Sequence, residues 1–360
     1  MSARRLKRSL AGLLLAALLL FFFFRGVDWQ VLGATLRSAH PGWLAGCVVG
    51  SVLTFAARAW RWGNLLAPVV RVRFWRLFSV TYVAFMAALL IPRAGEVLRP
   101  YLIGREHRVP FSAAFASIVL ERLLDLIAVL VLFGLYLYAL PAPAAQTSGP
   151  LMRLLEIGGA VTGVAALAIG GLLLAFHVHA ERTMRVADRL LYRLPERFAA
   201  LASRALRGFG AGLAVLKASP LQLAIIFGES IALWLTIGLS VYSSYRAFGV
   251  ELPFHASFLV MAFLTVGVSI PTPGMVGGFH EAYRLALVQV FGVAANTAVA
   301  GGIAMHLLTN VPVLVFGLAF LSREGLTLGG VTEMSDEAAS TPQSPPAAEL
   351  APAAHAERRP

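Results

Sequence analysis

The sequence predicts an all-α polytopic membrane protein of about six full spans plus two re-entrant broken helices, arranged as an inverted repeat. Three observations carry this. Hydrophobic residues make up 58% of the chain and charged residues 13%, against about half and a quarter in soluble domains. Eight apolar runs are long enough to cross or deeply enter a bilayer: 10–24, 43–57, 74–91, 111–140, 157–176, 221–241, 256–270 and 294–321. Two of these runs end in Ile-Pro followed by glycine and charge, "IPRAGEVLRP" from Ile91 and "IPTPGMVGGFHEAYR" from Ile270.

The first run follows "ARRLKRS" and precedes "RGVDWQ", which lacks the small residues of a cleavage site. It reads as an uncleaved helix with its N-terminus in the cytoplasm. The second run contains the lone Cys47, read as packing, and is followed by Arg58, Arg61, Arg71, Arg73 and Arg76 without an acid. That stretch reads as a cytoplasmic loop. The third run ends at the first break, and Arg99, Arg105 and Arg108 beyond it also call for the cytoplasm. This run therefore enters, turns at Pro92 to Gly95 and returns. Broken backbone at membrane depth is tolerated only where protein buries it or water lines it, so the turn reads as the floor of a cavity.

The fourth and fifth runs then cross out and back, which leaves 177–219, with eight Lys/Arg against three acids, in the cytoplasm. Within it, 181–216 sets leucine and phenylalanine at helical spacing opposite arginines. It is either an amphipathic helix kinked near Pro195 on an anionic leaflet, or a connecting helix with a solvated face. The sixth run crosses, the seventh enters from outside and turns at the second break, and the eighth ends in the cytoplasm at Arg323. Residues 1–322 thus form one transmembrane domain with 177–219 as a basic linker. Residues 323–360, rich in Pro, Ala and Glu, read as a disordered tail.

The stretch "VPFSAAFASIVLERLLD" from Val109 lies on "VAANTAVAGGIAMHLLT" from Val293 at one offset, which pairs Arg122 with His306. The Ile-Pro pairs need an offset five residues smaller. Interrupted segments in matching halves point to a transport site near the midplane.

Ser117, Glu121 and Asp125 fall at four-residue spacing on one helix face, with Arg122 placed to pair with Asp125. Each such charge costs about 2.5–3.5 kcal/mol at a helix centre, so the group faces protein or water. Two readings stand. In one, the carboxylates take protons or cations and Arg122 meets phosphate; in the other, a closed ion-paired network locks helices together. Intramembrane ionisable residues are functional hypotheses by default. Ser117, Glu121, Arg122 and Asp125, with His306 and Asn310 of the last span, are therefore taken as a polar path. Glu229, alone in the sixth run, ranks below these, since a lone buried acid is as often a structural hydrogen-bonder.

At the first break, Arg93 and Arg99 are placed to meet a phosphate, with Glu96 holding one of them, and half-helix ends would add N–H donors. At the second, Gly274, Gly277 and Gly278 let a ligand approach the backbone, and His280, Glu281 and Arg284 follow on a new helix. Together these residues form the expected lipid headgroup site. "HEAYR" puts Arg284 where the HExxH zinc motif has its second histidine, so neither a metalloprotease nor any metal or cofactor is expected.

At its two breaks the chain resembles the membrane region of bacterial lysylphosphatidylglycerol synthases and their stand-alone flippase-like relatives. "PRAGEVLRPYLI" looks like that family's first re-entrant segment and "PTPGMVGGFHEAYRLAL" like its second. The resemblance covers roughly 10–321 and implies translocation of an anionic-headgroup lipid, a phospholipid or a polyprenyl-linked phosphate, across the bacterial cytoplasmic membrane. Many members read Pro-Gly-Gly in the second motif and close it with glutamate; here Met275 replaces a glycine and His280 precedes Glu281. The synthases carry a soluble aminoacyl-transfer domain after the membrane region, whereas a disordered tail is read here, so a transporter rather than an enzyme is expected. The partners implied are membrane lipids, an anionic leaflet against the basic loops and a lipid-modifying enzyme, with no nucleic acid. A membrane enzyme acting on lipid phosphates and a small-solute secondary transporter are the alternatives.

Overall fold

A computed structural model describes residues 28–90, 94–138 and 219–323, with isolated positions at 21, 157, 160, 163, 164 and 171. The first and fifth apolar runs, the basic linker up to 218, Arg93 and the tail beyond Arg323 lie outside the described residues.

Among the described residues every regular element is helical. A short helix, α1 (Trp29–Arg37), starts where the Asp28 carboxylate accepts from the Gln30 and Val31 amides, and Asp28 N–H reaches the Asn296 side chain at 3.2 Å. Next come α2 (Pro41–Leu66), α3 (Phe74–Leu90), α4 (Ala94–His107) and α5 (Phe111–Tyr138). The second series is α6 (Pro220–Arg246), α7 (Ala256–Ser269), a single 3₁₀ turn (Pro273–Met275), α8 (Gly278–Leu285), a π turn (Ala286–Val290) and α9 (Ala295–Arg323). Proline occupies the first turn of α2 and of α6, where the missing N–H leaves no hydrogen bond unmade.

Of these, α2, α6 and α9 are both long and apolar enough to cross a bilayer, while α3 and α7 are shorter apolar helices. The 28 residues of α5 give comparable length, but three charges sit among them. The sequence reading of Arg58 and Arg61 as loop charges is corrected. Apolar residues resume after Ala57, so α2 continues to Leu66 and carries both arginines inward, and the loop is 67–73.

Helices α2 and α6 run antiparallel. Their contacts pair Gly46 with Ser243, Cys47 with Ser240, Thr54 with Thr236, Arg61 with Ser230 and Asn64 with Glu229. Small residues allow this approach: a Cβ on Gly46 or Gly50 would strike the Ser243 or Ser240 hydroxyl. The Cys47 thiol donates to the Ser240 carbonyl and the Ser240 hydroxyl returns a bond to the Cys47 carbonyl.

Because α3 starts where α2 ends and α7 starts where α6 ends, the two short-helix pairs enter the bundle from opposite ends. Each pair folds back on itself. In the first, the Gly95 backbone presses on α3, where a Cβ would lie 2.8 Å from the Ala84 carbonyl oxygen. Arg76, at the start of α3, pairs with Glu106 near the end of α4 at 2.6 Å. In the second, Gly267 of α7 and Gly278 of α8 meet backbone to backbone, so that a Cβ on either would collide with the other's carbonyl. Ala84 and Gly95 are eleven residues apart, and so are Gly267 and Gly278.

The packing among α2–α5 and α6–α9 repeats between the two series. α3 lies on α2 and α7 on α6; α4 lies on α5 and α8 on α9. Each long closing helix also crosses to the other series, α9 onto α2 and α3, α5 onto α6 and α7. One apolar core accordingly joins α2, α3 and α4 with Val313 and Leu321 of α9, and a second joins α6, α7 and α8 with Leu132, Phe133 and Tyr136 of α5. The 3₁₀ turn packs on α3, and Gly274 faces the Leu89 carbonyl, so the tip of the second hairpin meets the C-terminal end of α3.

The chain has a single cysteine, Cys47, which is fully buried. Cysteines placed at the exposed positions 73, 106 and 251 can therefore be labelled without background. A membrane-impermeant maleimide is expected to reach Arg73→Cys and Glu106→Cys from one side and Glu251→Cys from the other. Labelling of the first two from opposite sides would refute the folded-back first hairpin.

Candidate functional site

The site begins on α5, where Glu121 and Asp125 stand one turn apart and point toward α2, α4 and α6. Glu121 is fully buried. Arg99 of α4 grips it with two parallel bonds of 2.9 Å, and Arg122 adds a third at 2.6 Å. Fork-on-fork pairing of this kind is the strongest common ion-pair geometry. Asp125 takes Arg61 of α2 at 2.8 Å and the Trp234 indole of α6 at 3.1 Å, with Arg122 at 3.5 Å and Arg58 at 3.6 Å. Arg58 also stands 3.7 Å from Glu121.

The surroundings fix these side chains. The Arg99 guanidinium lies 4.1 Å over the Trp62 ring, whose N–H donates to Ser117. Arg58 lies over Phe85 at 5.2 Å, and Arg61 donates to Ser230 at 2.9 Å. Arg61 and Arg99 are sealed, whereas the Arg122 side chain is 40% exposed, so the cluster opens on that edge.

Four guanidinium groups therefore meet two carboxylates. Glu96, half-buried at the start of α4, acts on Arg122 from a distance and forms no ion pair with any of the four. Buried donors also remain without a hydrogen bond: Arg61 Nε, Arg99 Nε and Arg122 Nε, and Arg58 Nη1 and Arg61 Nη2, which stand 3.6–3.9 Å from carboxylate oxygens. A buried charge that is not fully paired is unfavourable by several kcal/mol in order of magnitude. The arrangement attracts an anion.

The residues expected from the sequence fall into two groups. Ser117, Glu121, Arg122, Asp125 and Arg99 come together on the cluster just described. Arg99 is held by Glu121 rather than by Glu96, the neighbour expected to hold an arginine at the break. The second group surrounds the other hairpin's tip. His306 Nε2 donates to the Gly274 carbonyl at 2.9 Å, and the His280 ring lies 4.5 Å from that of His306. The Gly277 amide donates to His280 Nδ1. Glu281 and Arg284 pair with each other along α8 at 2.6 Å and 2.8 Å, and Asn310 donates back to the His306 carbonyl. Gly274, Met275 and Gly277 all have positive φ, 61°, 58° and 88°. Met275 thus stands where the left-handed backbone favours glycine, which gives a physical reason for the Gly-rich pattern at this turn. Glu229 accepts from Trp60 and Asn64 of α2, a structural hydrogen-bonder. Among the described residues no group of three His, Cys, Asp or Glu could hold a metal.

Arg58, Arg61, Ser230 and Trp234 were not among the expected site residues. A helical reading of "TFAARAWRWGNLL" places Thr54, Arg58, Arg61 and Leu65 on one face, and all four are buried. That spacing was the available signal.

Long apolar helices, two hairpins that each contain one shorter apolar helix, and a buried arginine cluster define an all-α, multi-pass membrane protein. The family profile described as the lysylphosphatidylglycerol synthase TM region matches residues 9–317, and the chain belongs to that family. It is similar to a protein named glycosyltransferase AglD from Haloferax volcanii, 23% identical over 352 residues that cover 91% of this chain and 56% of the relative. The chain thus spans little more than half of that relative's length. Two proteins named UPF0104 membrane protein from Methanothermobacter thermautotrophicus are also similar. One is 27% identical over 289 residues (77% of this chain, 78% of the relative), the other 23% over 303 residues (79% and 86%).

Proposed function

We propose that this protein moves an anionic-headgroup lipid between the leaflets of the cytoplasmic membrane, with the headgroup passing through the bundle and the tails remaining in lipid. One observation carries the reading: a buried cluster of four arginines and two carboxylates in which five guanidinium nitrogens make no hydrogen bond, two of them standing only at ion-pair distance from a carboxylate. Arginine is the residue suited to planar, multidentate recognition of phosphate. Here the guanidinium groups bind and orient the headgroup, and Glu121 and Asp125 hold them in place.

The two series of helices act as halves of an inverted repeat. Support comes from the antiparallel α2 and α6, from hairpins that enter at opposite ends, and from a packing pattern that survives exchange of one series for the other. The end that bears Arg71, Arg73, Arg105 and Arg108 faces the cytoplasm by the positive-inside rule. Alternating access then needs the two halves to rock about the site between them.

Leaflet exchange of labelled anionic lipids in proteoliposomes tests the reading. Wild-type protein is expected to exchange them, and Arg61→Gln or Arg99→Gln to slow exchange by about tenfold or more, since each removes charge-assisted bonds to the headgroup. Unchanged exchange in both folded variants would refute it. Chemical conversion of the lipid would favour a membrane enzyme, and solute uptake without lipid movement a secondary transporter.

A further inference from the structure

We infer that the headgroup taken by the arginine cluster is a phosphomonoester, a terminal phosphate on a lipid chain, in preference to a phosphodiester. The inference rests on reading the cluster as a headgroup site and narrows what that site selects. Its basis is the mismatch between positive and negative groups in one buried place. Arg58, Arg61, Arg99 and Arg122 bring four positive charges to the two negative charges of Glu121 and Asp125. A phosphodiester carries one negative charge and two free oxygens. A phosphomonoester carries close to two charges at neutral pH and three strong acceptor oxygens. Glu96 lies within electrostatic range of Arg122 but outside ion-pair contact, so the phosphomonoester meets the excess of the ion-paired groups more fully.

Hydrogen-bond counting points the same way. The donors without a hydrogen bond come from four side chains on three helices, Arg58 and Arg61 of α2, Arg99 of α4 and Arg122 of α5, so they approach from different directions. Three oxygens on a terminal phosphorus can meet donors from several sides. A diester turns two of its four oxygens into bridging links, and those are poor acceptors that also bring chain bulk. The Trp62 ring beneath Arg99 and the Phe85 ring beneath Arg58 hold two of the guanidinium planes in place. This lowers the ordering needed when the phosphate arrives. A headgroup with an added amine would bring positive charge to a place that already has an excess.

Two kinds of lipid present this chemistry: a glycerolipid ending in phosphate, and a polyprenyl phosphate. The test measures binding and movement separately. Binding of dihexanoyl phosphatidic acid and dihexanoyl phosphatidylglycerol to the full chain in detergent is followed by calorimetry. Exchange of labelled phosphatidic acid, polyprenyl phosphate and phosphatidylglycerol is followed in proteoliposomes. The phosphomonoester is expected to bind about tenfold tighter or more, the scale of one added charged hydrogen bond. In Arg58→Gln that preference should shrink, since the charge excess halves. Faster exchange of phosphatidic acid than of polyprenyl phosphate assigns the glycerolipid source, and the reverse assigns the polyprenyl one. Phosphatidylglycerol binding as tightly as phosphatidic acid overturns the inference, and its exchange would then leave lipid translocation standing. A binding preference without exchange of any lipid keeps the inference and removes translocation. Binding of neither overturns both.

Discussion

Replacing Glu121 with leucine is expected to cause the largest loss of stability of any single change in the protein. Glu121 is the fully buried acceptor for both arms of Arg99 and for Arg122, with Arg58 and Arg61 inside 4 Å. Removing it leaves Arg58, Arg61 and Arg122 with Asp125 alone and takes from Arg99 the carboxylate that holds it. Breaking a buried pair from one side costs roughly 3–5 kcal/mol, because the remaining charge stays uncompensated. The double variant Arg99→Leu with Glu121→Leu removes donor and acceptor together and should recover a large part of the loss. Thermal unfolding of the purified variants in detergent provides the measurement. A single variant that melts like wild type would show that the network does not hold the helices. A double variant no better than the single would show that Arg99 is not the partner that matters.

The second large effect is expected at the hairpin glycines. Gly278→Ala puts a methyl group into the Gly267 carbonyl, and Gly95→Ala puts one 2.8 Å from the carbonyl of Ala84. In each case the obstacle is backbone, which cannot swing aside as a side chain does. Overpacking of this kind costs typically about 1–3 kcal/mol, and opening of a hairpin would also disturb the contact between the second hairpin's tip and α3. Both variants should melt lower and exchange lipid more slowly than wild type. Gly134→Ala, where nothing lies within 4 Å of the new methyl, serves as control and should be neutral or stabilise by about 0.5–1 kcal/mol, the usual Gly-to-Ala gain in a helix. Equal behaviour of all three variants would contradict the close approach.

Local signals made much of this architecture legible in the sequence. Ile-Pro at the ends of two apolar runs marked both breaks, and the four-residue spacing of Ser117, Glu121 and Asp125 marked one face of α5. The i,i+3 pair of Arg122 and Asp125 was likewise readable, because both partners lie on one helix. Arg99 with Glu121 and Arg61 with Asp125 join different helices, and no spacing rule reaches across a bundle. Arg58 and Arg61 were misplaced because counting arginines as loop charges ignores an arginine paired inside. The two hairpins align at one offset through Ala84 with Gly267 and Gly95 with Gly278, within one residue of the offset that lays Val109 on Val293. The Ile-Pro pairs mislead on register because α7 gives up its helix earlier than α3 does, lengthening the second tip.

The seam between α2 and α6 has a mechanical consequence. Gly46, Gly50, Cys47 and Ser240 bring the two backbones close there, and under the proposed repeat each helix packs on its own counterpart. The proposed rocking of one helix series past the other would have least travel along such a line, which would make the seam a fulcrum and the hairpins the ends of levers. A tether across the fulcrum would leave the swing free, whereas one joining Leu89 to Gly274 at the lever tips would arrest it.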